Sequence, residues 1–83
     1  MVTMRAKMRV TEVKTYGDPV HQVNLTFAAV SKPDGYPADG KDEDNSYARW
    51  TPMAELKMTI QNPSLLDKFV VGQKYYVDFV ACE

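Results

Sequence analysis

The 83-residue chain has little of what builds an active centre. Its only cysteine is Cys82 and its only histidine is His21. One of each excludes an internal disulfide and a zinc cluster of familiar type. Cys82 therefore reads as a small, half-buried residue near a chain end. His21 reads as a surface or strand-end residue. No glycine-rich phosphate cradle and no serine elbow occurs, so neither an enzyme nor a bound cofactor is expected. No apolar run approaches the ~20 residues of a membrane span. The opening MVTMRAKMRV is basic but has no apolar core, so it is not a secretory signal. With a single cysteine, an intracellular protein without membrane partners is expected. Charge of one sign is also lacking: the formal net charge is −1, so no global field steers the chain to nucleic acid or to a membrane.

What charge there is lies unevenly. Arg5, Lys7, Arg9 and Lys14 stand against Glu12 near the start. Asp34, Asp39, Asp42, Glu43 and Asp44 stand against Lys32 and Lys41 in the middle. The length allows one domain, 1–83, that buries only about 60% of its unfolded surface. Oligomerisation is a common remedy for so thin a margin, and a homo-oligomer is expected.

Alternation of apolar and polar residues dominates the chain. Met4, Ala6, Met8 and Val10 share one parity, with Arg5, Lys7, Arg9 and Thr11 on the other. This predicts a half-buried strand with a basic outer face. Val13 breaks the phase, which predicts a bulge near Thr11–Glu12 or the end of pairing. YGDP, residues 16–19, is turn chemistry. Val20 to Ser31 reads as a second strand with Val23, Leu25, Phe27 and Ala29 facing inward. Residues 31–45 form a long acidic loop, in which Tyr36 stands between Gly35 and Pro37. Ala48, Trp50, Ala54, Leu56, Met58 and Ile60 then share one parity, predicting one long strand with Trp50 in the core. Pro52 requires an edge or a kink there. In NPSLLDKF, Asn62 caps a short helix that Pro63 opens and whose apolar side is Leu65, Leu66 and Phe69. Tyr75, Val77, Phe79 and Ala81 point inward from a final strand, and Lys74, Tyr76 and Asp78 outward. The expected fold is mainly β: a small curled antiparallel sheet, or an OB-like barrel, with one short helix before the last strand. A barrel needs a fifth strand, which a fold at Pro52 would supply.

Three groups could carry function. Tyr47, Arg49 and Thr51 form an outward row in which Tyr47 offers a stacking face and Arg49 a planar donor fork. The alternative is an ordinary strand entering the core, with Arg49 merely solvated. Arg5, Lys7 and Arg9 could track a phosphate backbone, or could simply be a solvated face that discourages edge aggregation. The acidic run Asp39–Asn45 lacks the ligand spacing of an EF-hand, so no metal is expected and a basic partner suits it better.

EDNSYARWTPMAELKMTIQNP and KFVVGQKYYVDF carry a resemblance to a family of small phage proteins. The family pattern is a basic first strand, N-x-x-x-aromatic-T-P, N-P and F-x-x-G-x-x-Y-Y-V-D-F. It matches Arg5–Val10, Asn45/Trp50/Thr51/Pro52, Asn62–Pro63 and Phe69/Gly72/Tyr75–Phe79. The resemblance implies a phage accessory protein acting in the cytoplasm of the infected bacterial host. Proteins of that class often inhibit or sequester components of bacterial immunity. The resulting expectation is a non-catalytic binding protein. It would bind or sequester a nucleotide-like or nucleic-acid ligand, or block a host immune protein. The alternatives are a single-stranded-DNA-binding module of replication and a small virion structural or assembly protein.

Overall fold

The computed structural model describes residues 2–31, 44–48 and 52–82. Four strands form one antiparallel sheet in the order β3-β2-β1-β4: β1 is Val2–Tyr16, β2 Gln22–Ala29, β3 Glu55–Ile60 and β4 Lys74–Val80. β1 is the spine. Its second half pairs with β2, from Met8↔Ala29 to Tyr16↔Gln22, and its first half pairs with β4, from Val2↔Val80 to Arg9↔Lys74. Fifteen residues at about 3.3 Å each span about 50 Å, which accounts for the long dimension of 51 Å.

The parity slip is a bulge. Val10 pairs with Phe27 and Glu12 with Thr26, so Thr11 is the extra residue. Its hydroxyl donates to the Thr26 carbonyl at 3.2 Å. The bulge keeps Val13 on the same face as Val10, so one apolar face runs the length of β1. Ala6, Met8 and Val10 of β1, Val23, Leu25 and Phe27 of β2, and Ile60 of β3 are all buried on that face. After the turn at residues 17–20, β2 reverses direction. Gly17 has φ +93, and a Cβ there would strike the His21 ring, so the turn requires glycine.

The expected helix is a single 3₁₀ turn, Pro63–Leu65, capped by Asn62, whose side chain accepts from the Ser64 amide at 3.1 Å. The chain beyond it folds over the apolar face. Leu66 and Phe69 pack on the core, and the Phe69 ring meets Phe27 edge-on at 6.1 Å and Tyr75 at 5.3 Å. A turn at Gly72, φ +96, closed by Gln73 N–H to Val70 C=O, then feeds β4.

Several expectations are corrected. The sheet stays open, so the barrel alternative fails, and no fifth strand occurs among the described residues. The third strand begins at Glu55 rather than Ala48. Pro52 has no N–H to donate, and residues 52–54 are not in strand, although Ala54 C=O still accepts from Ala29. Met58 and Phe79 lie on the apolar face but remain exposed, because the cover formed by residues 66–69 does not reach them. Leu65, expected on the apolar side of the helix, is exposed as well. Trp50 and most of the acidic loop, with Tyr36, lie outside the described residues.

Candidate ligand-binding face

The face opposite the core is largely polar, with Ala28 and Val80 as apolar members. Alternation sends Arg5, Lys7 and Arg9 of β1 to it, and the β1–β4 register sets Asp78, Tyr76 and Lys74 directly opposite them. Arg5 grips Asp78 with both arms, Nε to Oδ1 at 2.7 Å and Nη2 to Oδ2 at 2.9 Å. Its guanidinium also lies 4.5 Å from the centre of the Tyr76 ring. The hydrogen bond from Arg5 holds the Asp78 carboxyl below its ordinary range, and the same bond raises the Arg5 guanidinium. Lys7 Nζ lies 3.4 Å from Asp44 and 5.9 Å from the Tyr76 ring, and the Tyr76 hydroxyl donates to Asp44 at 2.9 Å.

Arg9 differs from its neighbours. Its cross-strand partner is Lys74, a like charge. Neither has an ion-pair or hydrogen-bond partner among the described residues. Like charges directly opposite one another destabilise a sheet. The pair lies beside the Tyr76 ring, which is half exposed to solvent. A shallow depression lined by Lys7, Lys74, Tyr75 and Tyr76 adjoins it.

Further along this face an amide ladder crosses three strands. Gln61 donates to Gln22, Gln22 to Asn24, and Asn24 to the Tyr16 hydroxyl, while Thr59 also donates to Asn24. Lys14 Nζ sits 5.4 Å from the Tyr16 ring. Lys14, Tyr16, Asn24 and Thr59 border an open cavity of about 320 Å³.

The sequence-predicted residues divide. Arg5, Lys7 and Arg9 are gathered in one row on the polar face. Tyr47 is placed elsewhere: it lies in a turn, half-buried, and packs against the core. There it shares an apolar groove with Met4, Met8, Met53 and Phe79. It thus lies on the apolar side of the sheet, away from Arg5, Lys7 and Arg9, and not on an outward face as expected. Arg49 and Thr51 lie outside the described residues. Sequence reasoning missed the part of β4 in this face. The outward parity of Lys74, Tyr76 and Asp78 was available, but nothing in it pointed to β1 as the neighbour. Among known proteins, no family model, curated protein or solved structure matches the chain.

Proposed function

We propose that the chain is a non-catalytic binding protein that takes a nucleotide-like or nucleic-acid anion on its polar face. One observation carries this reading: Arg9 and Lys74 stand opposed with no carboxylate partner among the described residues, next to a Tyr76 ring already flanked by Arg5 and Lys7. A phosphate would relieve the like-charge pair, and a base has an aromatic surface beside it. The resemblance to small phage proteins gives the setting. The protein acts in the host cytoplasm during infection, sequestering a nucleotide signal or engaging an immune effector.

The test is a melting-temperature screen with mononucleotides and short oligonucleotides. A ligand at a hundred times its dissociation constant stabilises the fold by about 2.7 kcal/mol. Arg9→Ala, on an exposed strand position, is expected to keep the fold and lose the shift. An unchanged shift in that variant, or no shift with any ligand, overturns the proposal. Salt separates a single-strand binder from a mononucleotide binder, because affinity for a strand falls with a log–log slope of about −0.7 per phosphate contacted.

A further inference from the structure

Among the described residues nothing pairs with the outer edge of β4, which carries its own register. Arg5 C=O accepts from Ser46 and Lys7 C=O from Val30, both on the far side of β1 from β4. Arg5 and Lys7 thus turn their main chain away from Asp78 and Tyr76, which makes these the non-hydrogen-bonded pairs of the ladder. On β4 the same alternation directs the N–H and C=O of Lys74, Tyr76 and Asp78 outward. Among the described residues no strand lies on that side of the sheet. Such a row is a template for another strand.

We propose that the occupant is a second copy of this chain, pairing β4 to β4 antiparallel about a two-fold axis at Tyr76. Charge selects the axis. An axis at Lys74 or at Asp78 sets like charges opposite one another. An axis at Tyr75 sets Lys74 against Tyr76 and Asp78 against Gly72, and one at Val77 sets Asp78 against Tyr76 and Lys74 against Val80, so neither pairs the charges. The axis at Tyr76 places Lys74 against Asp78 of the second copy, and by symmetry does so twice. It also sets half-buried Tyr75 beside Val77 of the second copy, so the two apolar faces become continuous. Lys74, which has no carboxylate among the described residues of its own chain, gains one. Asp78 has acceptor capacity left beyond its two bonds to Arg5. The other edge, β3, offers no such incentive, since Glu55 and Lys57 already face one another at 3.7 Å within the strand. Arg9 gains no carboxylate in this dimer and stays available to an anion.

Sedimentation of the intact chain across a concentration series tests the proposal. The expected result is a monomer–dimer equilibrium. Lys74→Glu turns both attractions into repulsions and is expected to raise the dissociation constant about ten-fold or more. Asp78→Lys does the same with the opposite sign. Mixing the two variants restores two opposite-charge pairs, so a heterodimer forms where neither variant dimerises alone. Circular dichroism checks that each variant is folded. A monomer at every concentration, a dimer indifferent to Lys74→Glu, or a mixture that stays monomeric overturns the proposal. The mixing result depends on register alone and involves no anionic ligand.

Discussion

Asn45 is fully buried, although it lies in a turn-rich segment beside the acidic run. Its side chain substitutes for a strand. The carbonyl Oδ1 accepts from Lys7 N–H at 2.8 Å, and the amide Nδ2 donates to Val30 C=O at 3.0 Å. Here β1 has outrun β2, and the main-chain groups that β2 would have satisfied are met by one asparagine. Ser46 continues the arrangement by exchanging bonds with Arg5. Leaving a buried donor or acceptor unsatisfied costs about 1–3 kcal/mol. Asn45→Ala strands one of each, so a loss of about 2–4 kcal/mol is expected in urea unfolding. Ser46→Ala, at an exposed position, is expected to cost less than half of that. Equal losses for the two variants would mean that the asparagine does not bridge the gap.

At the scale of elements, periodicity announced the faces and not the neighbours. The alternations Met4–Val10 and Val23–Ala29 placed the core side chains, and the slip at Val13 pointed to the Thr11–Glu12 neighbourhood, where a bulge and not the end of pairing is found. Pro63 after Asn62 marked the start of the 3₁₀ turn. These signals are local, because a side chain's parity follows from the backbone that carries it. That β4 crosses back to β1 is not local: Asp78 and Arg5 meet across most of the chain, and no pattern in either strand names the other. The apolar parity of Ala54 read as a continuation of the strand because Pro52 alone opposed it, yet residues 52–54 are not in strand. Tyr47 was misassigned for the same reason, since it falls on the outward parity yet lies in a turn. Phe69 shows what a segment outside any strand contributes. It covers Phe27 and Tyr75 on a sheet with a single packed face. Phe→Ala in a full core costs about 3–5 kcal/mol, and the half-buried Phe69 belongs near the lower end. Chemical denaturation of Phe69→Ala is expected to show a loss of about 2–3 kcal/mol. Val71→Ala, exposed in the adjoining turn, should stay within about 0.5 kcal/mol of the parent.

At the scale of the molecule the sheet is thin. Its radius of gyration is 14.9 Å, against about 12 Å for a compact chain of this length, and its shortest dimension is 15 Å. One layer with one packed face buries little, and apolar side chains collect unburied at one end, where Phe79 and Val80 of β4 meet Met4 and Val2 of β1. An edge-to-edge dimer joins two such layers into one wider sheet and makes stability depend on chain concentration. A ten-fold rise in concentration is worth 1.4 kcal/mol per dimer, or about 0.7 kcal/mol per chain. For a domain of this size, 1 kcal/mol moves the melting temperature by roughly 4–8 °C. If dissociation accompanies unfolding, the midpoint should rise by about 3–6 °C for each ten-fold increase in concentration. Lys74→Glu should flatten that dependence and raise its dilute limit slightly above that of the parent, since it replaces the like-charge Arg9–Lys74 pair with an opposite-charge one. A melting temperature independent of concentration in the parent chain would return the stability to the single layer alone. Among the described residues, the seven buried apolar side chains and the aromatic cluster around Phe69 would then carry it.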